Sequence, residues 1–219
     1  MPVARVARPV ATDFLAATRS SYDRVAADYH EYGLEEMARQ PVERAVLAMF
    51  ASLVDGPVLD VGCGTGLATA CLHGLGADIR GVDLSPGMLA VARRTCPGVD
   101  FAEASMLALP HADATFAGVM AWYSTIHVPD NLLPTALSEL TRVLRPGGHL
   151  MLGFQVGDEP RHLTSALGHD LDLVFHRRRP DRMAALLAAA GAPVRVTTVR
   201  EAQEGELTDQ AFLVARKAA

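Results

Sequence analysis

Residues 57–83 read PVLDVGCGTGLATACLHGLGADIRGVD, and this stretch limits the fold more than any other. A short apolar run at 57–61 predicts a buried strand. It breaks at Gly62-Cys63-Gly64-Thr65-Gly66, and 65–76 then reads as a helix with Gly74 or Gly76 as its stop. A second strand is predicted over 78–83. Strand, glycine turn, helix and strand in that order make a βαβ unit, which sets two parallel strands under a covering helix. Glycines in such a turn let a ligand lie against the backbone, where the helix presents its free N–H groups. An acidic residue ending the second strand accepts hydrogen bonds from ribose hydroxyls, and Asp83 stands 21 residues after Gly62.

The rest of the chain continues the alternation. Helices are predicted over 19–32, 40–54, 85–96, 129–144 and 180–190. Pro41 suits a first helical turn, Ser85 an N-cap ahead of Pro86, and Gly191 a stop. Leu133, Leu137, Leu140 and Leu144 recur at helical spacing and point inward. Strands are predicted over 99–104, 115–123, 149–156, 193–199 and 210–217, with Arg145-Pro146-Gly147-Gly148 as a turn before the third of these. The expected result is an α/β domain, its sheet covered by helices on both faces. Segment 13–55 is expected to form an N-terminal helical cap, and residues 1–14 a frayed tail. Residues 157–179 interrupt the pattern with a polar stretch rich in histidine and arginine, expected as an irregular, lid-like insertion.

Length and charge narrow the function. With 219 residues, the chain is long enough for one full domain. A net charge of −5 gives no electrostatic case for nucleic acid as a partner. Cys63, Cys71 and Cys96 form neither a disulfide framework nor a zinc pattern, which suggests a reducing, cytoplasmic setting. No apolar run reaches the ~18 residues of a membrane span, and the N-terminus lacks the apolar core of a signal peptide. His162, His169, Asp170 and His176 match no metal-ligand spacing, so no metal is expected.

The glycine turn then asks which cofactor it serves. Dinucleotide sites use G-x-G-x-x-G with a pyrophosphate on the helix end. Here Asp60 sits two residues before Gly62, where a carboxylate suits a positively charged ligand such as an ammonium or sulfonium. The segments VLDVGCGTG (58–66), GVDLSPGMLAVAR (81–93) and LRPGGHLML (144–152), in that order, resemble the class I S-adenosylmethionine-dependent methyltransferases. The resemblance implies a Rossmann-like, seven-stranded mixed sheet in the order 3-2-1-4-5-7-6, with strand 7 antiparallel. It implies S-adenosylmethionine as cofactor and S-adenosylhomocysteine as product. It places Gly62, Cys63 and Gly64 on the methionine portion near Asp60, Asp83 on the ribose diol, and Leu84 and Met88 on the adenine faces. Ser105, Met106 and Leu107 would border the adenine edge, and the Ala121 backbone would accept from the ammonium. Tyr22 and Tyr29, in YDRVAADY (22–29), would reach the carboxylate or the methyl region. Two positions depart from the pattern: Ser105 stands where many relatives carry an acid, and Phe116-Ala117 where many read Phe-Asp.

Methyl transfer from a sulfonium is an in-line displacement that positioning alone can drive far, by about 7–11 kcal/mol. A base is needed only when the acceptor must lose a proton. His127, with an ordinary pKa near neutrality, is the candidate base, and Tyr123 and Tyr29 are candidates to line the acceptor pocket. Arg177-Arg178-Arg179 reads either as a solvated charge run or, facing the pocket, as a site for a carboxylate or phosphate. The function expected is methylation of O, N or C on a small molecule, with neither nucleic acid nor membrane as partner and a monomer or homodimer as the working unit. Richness in alanine, arginine and valine suggests a high-GC bacterium and a natural-product pathway. The alternatives are a nicotinamide-dependent oxidoreductase and a non-catalytic protein that binds S-adenosylmethionine.

Overall fold

The computed structural model describes residues 10–218, with side chains from Phe14 onward. The element order is α1 (Val10–Arg39), α2 (Pro41–Leu53), β1 (Val58–Val61), α3 (Leu67–Gly74), β2 (Ile79–Asp83), α4 (Pro86–Thr95), β3 (Phe101–Glu103) and β4 (Phe116–Trp122). There follow α5 (Leu133–Val143), β5 (Leu144–Gln155), β6 (Arg161–Ala166), β7 (His169–Phe175), α6 (Pro180–Ala189), β8 (Val194–Arg200) and β9 (Gln210–Arg216). Residues 1–9 of the expected frayed tail lie outside the described residues. From Val10 the chain is helical, so 10–14 belong to α1 and not to a tail.

Seven strands form one sheet in the order β3-β2-β1-β4-β5-β9-β8. β1 to β5 are parallel, and β9 runs antiparallel to both β5 and β8. With the separate β6–β7 hairpin set aside, this is the 3-2-1-4-5-7-6 order with an antiparallel seventh strand. Alternate residues of each strand serve opposite faces. On one face Leu59, Val119 and Leu152 meet Leu133, Leu137 and Leu140 of α5 and Leu187 of α6. On the other, Val58, Met120 and Met151 meet Leu47 and Phe50 of α2, Leu72 of α3 and Leu89 of α4. Each such side chain contributes roughly 1.5–3 kcal/mol by burial, so the sheet gives the loops at its carboxyl edge a packed floor.

Local signals explain several boundaries. The Ser85 hydroxyl accepts from the Met88 amide at 3.0 Å, capping α4, with Pro86 in its first turn. Helix α1 extends well past the predicted 19–32. Gly33, just beyond that range, stays helical and admits α3: a Cβ at Gly33 would lie 2.6 Å from Leu67 Cδ1.

Two further expectations are corrected. Residues 145–148 are a bulge inside β5 and not a turn before it. Phe116 pairs with Leu144 and Gly118 with His149, so four residues of β5 pass a single residue, Ala117, of β4. The 157–179 segment is also not irregular, because β6 and β7 form a hairpin within it. Leu167 and Gly168 turn it with φ of 53° and 78°, the left-handed pair that a tight two-residue hairpin requires. In β7, Leu171 and Leu173 are buried against α1 while Asp170 and Asp172 face outward. The Asp172 amide donates to Ser21 Oγ at 2.9 Å, and His169 Nε2 pairs with Asp28 at 2.8 Å, so the hairpin is fastened to α1. His162 pairs instead with Asp172 at 2.7 Å.

Candidate cofactor and acceptor site

A cavity of about 410 Å³ opens at the carboxyl ends of β1, β2 and β4, under α1. Its floor is the turn after β1. Gly62 has φ of +74°, and a Cβ there would strike Ser124 Cβ at 2.3 Å. Only glycine gives that backbone both its conformation and its clearance. Gly64, with φ of +55°, borders the cavity so openly that an added Cβ would meet no protein atom within 4 Å. Gly66 adopts φ of +81° at the start of α3, where Ala92 approaches closely.

Asp60 lies beneath this turn, fully buried. Its Oδ2 accepts from Thr69 Oγ1 at 2.6 Å, while Oδ1 is buried without a partner. Burial, partly offset by the Thr69 hydrogen bond, raises its pKa to about 7. Asp83 ends β2 at the rim. Its oxygens accept from the Gly64 amide and the Ser85 amide, each at 2.8 Å, so the carboxylate ties the glycine turn to the cap of α4. Burial nonetheless raises its pKa. Leu84, Met88 and Cys63 supply apolar wall beside it. Ser105, Met106 and Leu107 border the same cavity, where Ser105 Oγ accepts from the Leu107 amide at 3.2 Å and shapes a local turn.

Ala121 is the sequence-predicted residue that the cavity does not reach. The role expected of it was a backbone one; its side chain is buried in the core on the α5 face, and Trp122, the next residue of β4, lines the cavity. Trp122 also stacks on Phe212 at 5.0 Å.

The candidate catalytic side chains converge from distant elements. His127 sits in a 3-10 turn, Thr125–His127, after β4. Its Nδ1 hydrogen donates to the Val174 carbonyl at 3.1 Å, which leaves Nε2 to accept from the Tyr22 hydroxyl at 2.7 Å. Burial lowers the His127 pKa to about 4, so the ring is neutral across the physiological range. The lone pair of the candidate base is thus occupied by Tyr22, whose own pKa burial raises well above its ordinary value. Tyr29 stands edge-on to Tyr22, with ring centroids 5.7 Å apart, and burial pushes its pKa up to about 12. Tyr123, at a left-handed φ of 51°, donates to Glu43 Oε1 at 3.1 Å. Arg200 bridges Glu43 (3.0 Å) to Glu206, bonding the latter at 2.6 and 2.7 Å. Tyr123 is therefore held by a buried charged network, which sequence reading missed. Glu43 stands in the first turn of α2, and its partner Arg200 lies 157 residues away, so nothing local in the sequence marks the pair.

A family profile described as a methyltransferase domain matches residues 58–148. The O-methyltransferase of Pyrenophora dematioidea is 31% identical over 213 residues, covering 86% of this chain and 78% of that protein. The O-methyltransferase cnsE of Penicillium expansum is 41% identical over 110 residues, which are 47% of this chain, and the match spans only 39% of that relative's length. The fold is also that of the Burkholderia thailandensis 1,6-didemethyltoxoflavin-N1-methyltransferase crystallised with 1,6-didemethyltoxoflavin and S-adenosylhomocysteine. The TM-score is 0.75 at 23% identity, covering 99% of this chain and 93% of that one. The chain belongs to the class I S-adenosylmethionine-dependent methyltransferase family. The family's cofactor is S-adenosylmethionine, and the residues present fit it: Asp60 Oδ1 is a buried acceptor with no protein donor, and the open side of Gly64 borders the cavity. Membership removes the nicotinamide alternative. Among the described residues no helix is long and apolar enough to cross a membrane.

Proposed function

We propose that this chain transfers a methyl group from S-adenosylmethionine to an oxygen, nitrogen or carbon of a small molecule. The observation that carries this reading is the buried Asp60 carboxylate, with one oxygen unpartnered, below a glycine turn that opens onto the cavity. The bound cofactor supplies an activated methyl on a sulfonium. Asp60 holds its ammonium end, and Asp83, placed by two backbone amides, holds its ribose end. Leu84 and Met88 flank the adenine, and Ser105, Met106 and Leu107 border its edge. Helix α1 covers the site and excludes water, fastened through Asp23 Oδ1, which accepts from Ser85 Oγ at 2.6 Å and the Gly87 amide at 2.9 Å.

The acceptor lies between α1 and the end of β4, facing Tyr22, Tyr29 and Tyr123. Catalysis rests chiefly on alignment of the acceptor atom with the methyl. Where the acceptor must lose a proton, Tyr22 oxygen takes it as the Tyr22 proton passes to His127 Nε2. The low basicity of His127 makes this route favour the more acidic protonated acceptors, such as phenols, while a carboxylate acceptor has no proton to lose. The hairpin β6–β7 serves as a lid over the acceptor end, and the working unit is a monomer or homodimer.

The test is calorimetry with S-adenosylhomocysteine, followed by incubation with methyl-labelled S-adenosylmethionine and a panel of phenols, carboxylic acids and N-heterocycles. Saturable binding and label transfer to a panel member are expected. Absence of S-adenosylhomocysteine binding would overturn the site; binding without transfer to any panel member would favour the non-catalytic alternative.

A further inference from the structure

The three consecutive arginines part ways in the fold. Arg178 is buried, and its guanidinium donates to the Thr125, Val128 and His176 carbonyls and to Asp130. It clamps the end of the hairpin to the turn that carries His127. Arg179 is exposed and paired with Asp181 at 3.3 Å. Arg177 turns the other way and lines the cavity, with its Nε buried and without a hydrogen-bond partner. Gly157 fixes that course, since a Cβ there would sit 3.1 Å from both Cβ and Cδ of Arg177.

Arg161 lines the same cavity from the opposite strand, at the position paired with Phe175. Among the described residues neither Arg161 nor Arg177 has an ion-pair partner. Of the cavity's carboxylates, Glu43 and Glu206 pair with Arg200, Glu36 with Arg39 and Asp83 with two backbone amides, while Asp60 lies beneath the glycine turn with Oδ2 bonded to Thr69. Two guanidinium groups that border one cavity without an ion-pair partner, Arg177 half-buried and Arg161 exposed at its mouth, favour an anion between them, and the planar fork matches a carboxylate or phosphate. Both belong to the segment after β5. That strand is separated by β4 from β1, which carries Asp60 and leads into the glycine turn. The anion therefore sits beyond the cofactor loop, on the acceptor.

Resting on the methyl-transfer reading above, we infer that the acceptor carries a carboxylate or a phosphate-like group, held by Arg161 and Arg177 at the base of the hairpin. The S-adenosylhomocysteine-saturated protein is titrated calorimetrically with benzoate, phenylphosphonate and the uncharged benzamide. Both anions are expected to bind, with benzamide at least about tenfold weaker, the difference one charge-assisted hydrogen bond supplies. Arg177→Gln and Arg161→Gln are expected each to lose at least about tenfold in anion affinity by the same bond. Both should keep the wild-type affinity for S-adenosylhomocysteine, which also reports that they are folded, and Arg179→Gln should change neither. The inference is overturned if neither anion binds, if benzamide binds as well as benzoate, or if Arg177→Gln weakens S-adenosylhomocysteine instead, since the guanidinium would then serve the cofactor's carboxylate. Failure of wild-type protein to bind S-adenosylhomocysteine would fall on the methyl-transfer reading itself.

Discussion

Asp60 links cofactor affinity to pH. In the free protein its pKa is about 7, because burial outweighs the Thr69 hydrogen bond. Between its ordinary pKa, near 4, and 7, the folded protein keeps a proton that the unfolded chain has released, so this group's contribution to stability falls as pH rises through that window. Binding of an ammonium has the opposite sign, since it requires the ionised carboxylate. If only that form binds, affinity for S-adenosylhomocysteine rises about tenfold from pH 6 to pH 8 and is nearly level above it. Asp60→Asn preserves the shape and leaves an oxygen for Thr69, but turns an amide N–H₂ toward the ammonium. Loss of a hydrogen bond to a charged group, about 1.5–3 kcal/mol, predicts roughly 10- to 100-fold weaker binding with a flat pH profile. At pH 8 the variant should be at least as stable as the wild type, because a buried charge has gone. Calorimetry from pH 5.5 to 8.5, with urea unfolding of the free proteins, measures both effects. A wild-type affinity constant between pH 6 and 8, or an asparagine variant within twofold of it, would refute the assignment of Asp60 to the ammonium.

The glycine turn separates stability from binding. Gly62→Ala places a Cβ 2.3 Å from Ser124 at a left-handed φ and should cost about 2–5 kcal/mol in urea unfolding. Gly64→Ala meets no protein atom, so it should cost only about 1–2 kcal/mol yet weaken S-adenosylhomocysteine more than tenfold. Tyr22→Phe strands His127 Nε2 and should lower stability by about 1–3 kcal/mol, with turnover falling further than cofactor affinity; unchanged turnover would remove Tyr22 from the proton route. Arg178→Met breaks the buried clamp and leaves Asp130 and three carbonyls short of a donor, for an expected loss of about 3–5 kcal/mol. A loss below 1 kcal/mol would show that the hairpin base does not depend on it.

What the sequence determined was everything carried by local period and spacing. The apolar runs of β1, β2 and β4, the inward leucines of α5, the Ser85 cap and the distance from Gly62 to Asp83 each depend on residues near one another in sequence, so the alternation and the glycine-turn side of the cavity were readable in order. Tertiary structure decided the rest. The β6–β7 hairpin was hidden because its outward faces are polar and its buried leucines pack on α1, not on the main sheet. The continuation of α1 past residue 32 was not legible, because nothing nearby in sequence shows that α3 approaches Gly33. The same holds for the acceptor end of the site. Tyr22 meets His127 across 105 residues, Glu43 meets Arg200 across 157, and the members of one arginine run take three different environments. A side chain's basicity and role follow from burial and partners, and those are set when the sheet closes, by packing between segments whose identities alone carry no record of which neighbour they will meet.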